Sequence, residues 1–141
     1  MGHHFVSRHR VEFFETDLAG IVHFANYYRF MEQAEHQFFR SLKLKIHGTR
    51  PDGIVYGWPR VSATCSFKSP AYYEDELEIS LTIMRLTRRS LTIGYDFRRN
   101  EVAVASGEMK TAYCIIPAGS KLESAEIPDD CFDRLNGLLQ S

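Results

Sequence analysis

Three runs of two-residue alternation constrain the fold of this chain more than any other feature. Val61, Ala63, Cys65 and Phe67 alternate with Ser62, Thr64, Ser66 and Lys68. Leu77, Ile79, Leu81 and Ile83 alternate with Glu76, Glu78, Ser80 and Thr82. Leu91, Ile93, Tyr95 and Phe97 alternate with Thr92, Gly94, Asp96 and Arg98. Successive side chains of a strand point to opposite faces, so each run reads as a strand with one apolar and one polar side. The connections around Pro70 to Asp75, Leu86 to Ser90 and Arg98 to Glu101 are short, which implies a mostly antiparallel meander. A last run from Val102 to Ile116 is long enough for a strand with a bend or bulge near Gly107.

The segment before these strands has a different period. From Ala25 to about Lys43, apolar side chains recur at Tyr27, Met31, Ala34, Phe38 and Leu42, with Arg29, Glu32, Glu35 and Arg40 among the intervening polar positions. Spacings of three and four predict one long helix with a single apolar stripe. Phe5 to Phe14 suits a first strand, Glu15 to Phe24 a loop, and Gly48, Pro51 and Gly53 punctuate a second loop. The tail after Pro117 reads as a loop and a short terminal helix, Pro128 to Leu139. The order is therefore strand, long helix, then about four long strands, an α+β chain of one domain over residues 1–141. Strands this long leave edges and surface to hide, so a homo-oligomer, dimer or tetramer, is expected.

Composition narrows the function. With 44% apolar and 25% charged residues and a formal charge of -1, the chain reads as an ordinary globular domain. No global field argues for nucleic acid or an anionic membrane surface. No apolar run approaches the roughly 18 to 20 residues that span a bilayer, and Met1-Gly2-His3-His4 lacks the apolar core of a signal peptide. Cys65, Cys114 and Cys131 are odd in number and widely spaced, which suits reduced thiols and a cytoplasmic location. No pair of them has metal-ligand spacing. His3, His4 and His9 suit a strand surface better than a metal site.

The chemistry is concentrated in Glu15-Thr16-Asp17-Leu18-Ala19-Gly20-Ile21-Val22-His23-Phe24-Ala25-Asn26-Tyr27-Tyr28. This segment places a carboxylate in a short loop just before the helix. A helix N-terminus carries unpaired N–H groups and about half a positive charge. Such an end can hold an oxyanion while the carboxylate attacks a carbonyl carbon or activates water to attack it. That is a plan for acyl transfer. Asp17 also suits a capping role, which stabilises a helix by about 1 kcal/mol.

The same residues carry a resemblance. Glu15-x-Asp17-x-x-Gly20-Ile21-Val22 followed by Asn26-Tyr27 resembles the motif of the 4-hydroxybenzoyl-CoA thioesterase family. Together with the element order over about residues 5 to 117, it resembles the hotdog fold, a curved antiparallel sheet of about five strands around one long central helix. One departure is Glu15, where many members carry Asp. The resemblance implies an acyl-CoA thioesterase that uses no metal or other cofactor, CoA being part of the substrate. It casts Asp17 as nucleophile or general base, the Phe24 backbone amide as oxyanion donor, and Gly20 as the residue permitting the tight turn. The acyl group would lie between helix and sheet.

Other candidates surround this core. His23 precedes the expected donor and could touch substrate or orient water. Asn26 suits loop-fixing hydrogen bonds beside the substrate, and Tyr27 a place against it. Glu32 is either a solvated helix carboxylate or the helix carboxylate that another hotdog branch uses. Arg88, Arg89 and Ser90 sit at a strand turn where, in the resembling family, basic residues contact CoA phosphates; a paired Arg fork suits that task. Arg60, Lys68 and Lys110 are weaker phosphate candidates, and Tyr72, Tyr73 and Trp58 suit either an acyl pocket or the core. Two other readings stay open: a carrier-protein thioesterase, and a non-catalytic binder of acyl-CoA or small aromatics. Benzoyl, hydroxybenzoyl, naphthoyl and short or medium fatty acyl groups all fit the sequence.

Overall fold

A computed structural model describes residues 3–118 and 120–140. The alternating runs form strands β4 (Arg60–Phe67), β5 (Glu76–Leu86) and β6 (Ser90–Arg99), joined by β7 (Val102–Ala112) and the first strand β1 (Phe5–Arg10). They make one five-stranded sheet in the order β1-β5-β6-β7-β4, antiparallel at every pairing. In register, Leu81 faces Tyr95 and Tyr95 faces Gly107, which in turn faces Cys65. Residues directly opposite share a face, so the apolar halves of the alternations form one continuous surface.

Helix α1 (Asn26–Ser41) lies on that surface. Its period returns Tyr27, Phe30, Met31, Ala34, Phe38 and Phe39 to one side, and all six are buried. Gly107 makes this approach possible. A Cβ there would sit 2.2 Å from Met31 Cε and 3.0 Å from the Thr64 carbonyl oxygen. β7 stays in register through Gly107 itself, and its bulge falls three residues earlier at Val104, where Phe97 pairs with Ala105 and the next residue, Arg98, with Ala103. The small residue serves helix packing rather than strand bending.

Two further differences from the expected architecture stand out. The first strand ends at Arg10, because Phe13–Glu15 coils into a 3-10 turn in which Glu15 Oε1 accepts the Glu12 N–H at 2.8 Å. A second, four-stranded sheet is built from β2 (Gly48–Thr49), β3 (Val55–Gly57), β8 (Cys114–Ile116) and β9 (Glu123–Ser124). Strands of two or three residues carry no readable period. A second helix, α2 (Asp129–Leu139), follows and buries Leu135. Among the described residues no helix is long and apolar enough to cross a membrane.

Candidate active site

The loop between β1 and α1 is fixed by its own backbone. Thr16 bridges Val22, Ile21 bridges Tyr72, and the Val22 N–H donates to the Ala71 carbonyl at 2.9 Å. Asp17 to Gly20 form a tight turn closed by the Gly20 N–H donating to the Asp17 carbonyl at 2.9 Å. Gly20 has φ +80, a left-handed conformation that glycine adopts without strain. The Ala19 N–H donates to Asp17 Oδ1 at 2.8 Å, so one carboxylate oxygen is anchored within the turn.

Glu15 is the structural hub of the loop. Its buried carboxylate meets His9 Nε2 at 2.8 Å and caps the 3-10 turn. Its carbonyl accepts the His23 N–H at 2.9 Å and the Asn26 side-chain amide at 2.8 Å. Asn26 therefore ties the helix start to the loop. The longer Glu side chain is what spans from the turn to His9 on β1.

The amides at the start of α1 are almost all used. His23 N–H goes to Glu15, Ala25 N–H to His23 Nδ1 at 3.1 Å, Asn26 N–H to the His23 carbonyl and Tyr27 N–H to the Phe24 carbonyl. Among the described residues, the Phe24 N–H alone in this stretch has no acceptor. A cavity of about 440 Å³ brings this residue together with Asp17. Ile21, Val22, Tyr27, Phe67 and Pro70 supply apolar walls. Tyr27 packs its ring edge-on against Phe67 and Phe97, both at 5.3 Å, and burial pushes its hydroxyl up to about 12, so it stays protonated. Phe67, Lys68 and Pro70 line the cavity; of these, sequence reasoning had marked only Lys68, and then for phosphate. Their signal is tertiary: Phe67 reaches the helix start by packing on Tyr27, and the Lys68 N–H donates to the Val104 carbonyl of β7.

The other candidates lie outside this cavity. His23 is exposed and stacks on Phe24 at 4.7 Å; its Nδ1 accepts a hydrogen bond, so the neutral ring carries its proton on Nε2. Arg88, Arg89 and Ser90 sit at the opposite end of β5, about 33 Å from its start along an ideal strand. There Arg88 meets Asp129 at 2.7 Å and covers the Phe132 ring at 4.4 Å, Arg89 reaches Ser124 at 3.3 Å, and Ser90 Oγ meets Thr87 Oγ1 at 2.7 Å. One chain does not bring this turn to Asp17. Trp58 is buried at that far end against Phe39 and Tyr113, not in the Asp17 cavity.

Glu32 is exposed and pairs with Arg60 at 3.3 Å. The helix carboxylate that is buried is Glu35, which the stripe had assigned to the polar positions. Four residues after Met31, it falls on the apolar face, 1% exposed, with Arg60 at 2.9 Å. Burial pushes its carboxyl up to about 7, Arg60 opposing and Glu32 adding to the rise. The Tyr95 hydroxyl, buried without a partner, is pushed up by the same burial and by Glu35. A carboxyl raised on folding gives stability that is full below its unfolded value of 4.5 and is lost as pH rises through about 7. Wild type should therefore lose on the order of 3 kcal/mol relative to Glu35→Gln between those limits. Urea unfolding from pH 4.5 to 8 measures it; parallel curves for the two proteins would contradict the assignment.

Asp17 and the unbonded Phe24 amide line the same cavity with mostly apolar walls, an arrangement whose chemistry suits acyl transfer. The chain belongs to the Thioesterase superfamily, whose model matches residues 19–106, and it is a thioester hydrolase. The matched span starts two residues after Asp17, so Asp17 stands on the loop geometry. A provisionally named esterase of Aquifex aeolicus (strain VF5) is 35% identical over 82% of this chain and 87% of its own length. The 4-hydroxybenzoyl-CoA thioesterase of Pseudomonas sp. (strain CBS-3) is 29% identical over 86% of this chain and 89% of its own. A solved gentisyl-coenzyme A thioesterase is 30% identical, with a TM-score of 0.77 over 90% of this chain and 98% of that one. The α+β hotdog thioesterase fold is shared with such neighbours; α2 is the terminal helix expected from Pro128 to Leu139, and the small second sheet is the addition to the expected single sheet.

Proposed function

We propose that this chain hydrolyses aryl-CoA thioesters to the free carboxylic acid and CoA, in the cavity shared by Asp17 and Phe24. The observation that carries the reading is the Phe24 N–H, alone among the described amides from His23 to Tyr27 in having no acceptor, lining one largely apolar cavity with the Asp17 carboxylate. A thioester oxygen accepting from that amide becomes more negative as its carbon is attacked, so the donor favours the transition state over the ground state. Asp17 then acts in one of two ways. It attacks the carbonyl carbon, expelling the CoA thiolate and leaving a mixed anhydride that water cleaves. Alternatively it takes a proton from water as that water attacks, and the tetrahedral intermediate expels the thiolate. Both routes consume one water and yield a carboxylate and CoA.

The named relatives act on 4-hydroxybenzoyl and gentisyl thioesters, and the walls of this cavity are rich in aromatic side chains, which supports an aryl group here. Strand β4 supports a homodimer. It is an edge of the main sheet, and Val61 and Phe67 on it are 58% and 51% exposed. An apolar edge strand is a template for pairing, and a second copy there would flank the cavity wall at Phe67 and Lys68. Sedimentation should give a dimer or a multiple of it; a monomer at micromolar concentration would contradict this. Arg88 and Arg89 can contact CoA phosphates only for a cavity on another copy, given their distance from Asp17 in one chain. Thiol release from benzoyl-, hydroxybenzoyl-, naphthoyl- and hexanoyl-CoA, beside the matching carrier-protein thioesters, tests the substrate. We expect kcat/KM for an aryl-CoA at least tenfold above the alkyl and carrier-bound substrates. Faster turnover of the carrier-bound form, or of hexanoyl-CoA, would overturn it.

A further inference from the structure

A second cavity, of about 480 Å³, opens at the other end of α1, between the helix terminus, the small sheet and the first turn of α2. Sixteen helical residues, about 24 Å along an ideal helix, separate it from the Asp17 end. Its composition is unlike that of the first cavity. Aromatic rings form a relay along one wall: Trp58 lies 5.3 Å from Tyr113, and Tyr113 stacks on Tyr56 at 5.7 Å with planes 24° apart. Lys43, Lys45 and Arg50 stand around them.

Cations outnumber acids in the lining of this cavity. Among the described residues neither lysine has an acidic partner, whereas Arg50 is paired with Asp52 at 2.8 Å. The one acid in the lining, Asp130, is held by Arg134 at 3.2 Å. The Tyr113 hydroxyl is buried without a hydrogen bond of normal geometry, although the Arg50 guanidinium lies beside it. Burial raises both Tyr113 and Tyr56, so each hydroxyl remains a donor at neutral pH. Cys131 is pushed up to about 11 by burial and stays a neutral thiol. A rim richer in cations than in acids over a stacked aromatic wall, with the buried Tyr113 hydroxyl beside it, suits a ligand that brings both a flat ring and negative charge.

We propose that this cavity binds a small planar aromatic anion, its ring against Tyr56 and Trp58 and its carboxylate or phosphate between Lys43, Lys45 and the Tyr113 hydroxyl. Two sources share that chemistry: an aryl carboxylic acid, and the adenine nucleotide end of CoA. The inference rests on the cavity itself and not on the reaction proposed for Asp17.

Trp58 is the only tryptophan in the chain and lines this cavity, so its fluorescence reports on this site alone. The test titrates the full chain with 4-hydroxybenzoate and with adenosine 3′,5′-bisphosphate, each beside its neutral counterpart, 4-hydroxybenzamide or adenosine. The expected result is a saturable change with at least one anion, tenfold or more tighter than its neutral counterpart. In Lys43→Gln with Lys45→Gln that midpoint should weaken at least fivefold while the melting temperature holds; both lysines are exposed, so folding is spared. The anion that binds identifies the source. A flat response to both anions, equal binding of the neutral counterparts, or an unchanged midpoint in the double variant would each overturn the proposal.

Discussion

Asp17→Asn should lower kcat at least 10²-fold while the protein melts within a degree or two of wild type. The amide oxygen of Asn can still accept the Ala19 N–H that Asp17 Oδ1 accepts at 2.8 Å, so the turn survives. The side chain is exposed, and substitutions at such positions usually change stability by no more than about 0.5 kcal/mol. What the amide cannot do is attack a carbonyl carbon or take a proton from water. A hundredfold loss corresponds to about 2.7 kcal/mol of transition-state stabilisation. KM should change little, because the apolar walls that hold the acyl group are untouched. Steady-state kinetics beside a thermal melt separate the two effects. A near-wild-type kcat would remove Asp17 from the mechanism, and a collapsed melt would make it a structural residue.

Phe24→Pro should cost 10² to 10³ in kcat, and Phe24→Ala less than about tenfold. Proline deletes the N–H and alanine keeps it, so the pair isolates the backbone donor from the ring. Losing one oxyanion donor costs about 2.7–4 kcal/mol in enzymes where it has been removed. The fold should tolerate the proline, since the Phe24 N–H serves no hydrogen bond within the protein and the position just precedes α1. Alanine removes an exposed ring and its stacking on His23. If the two variants lose kcat equally, the ring and not the amide matters, and the oxyanion assignment fails.

Periodicity carried most of the fold. The alternating runs became β4, β5 and β6, and the stripe of Tyr27 to Leu42 became α1 within two residues at each end. What it could not show depended on contacts between distant segments. Glu35 looks polar in a list, but its angular position beside Met31 puts it under the helix, where only Arg60 from β4 makes burial tolerable. Gly107 reads as a strand breaker until Met31 is seen against it. The Asp17 loop was legible because its residues are neighbours in sequence and fold against one another. The cavity walls at Phe67 to Pro70 were not, because they meet that loop from about fifty residues further along the chain. Arg88 and Arg89 show the converse: within one chain Arg88 meets Asp129 and Phe132 of α2 and Arg89 reaches Ser124 of β9, contacts with no signature in the local sequence.

The most direct measurement is the initial rate of thiol release from 4-hydroxybenzoyl-CoA, wild type beside Asp17→Asn, over a range of substrate concentrations. Saturable release by wild type and a rate at least a hundredfold lower in the variant are expected. Equal rates in the two proteins, or no release by wild type from any aryl-CoA, would contradict thioester hydrolysis at Asp17.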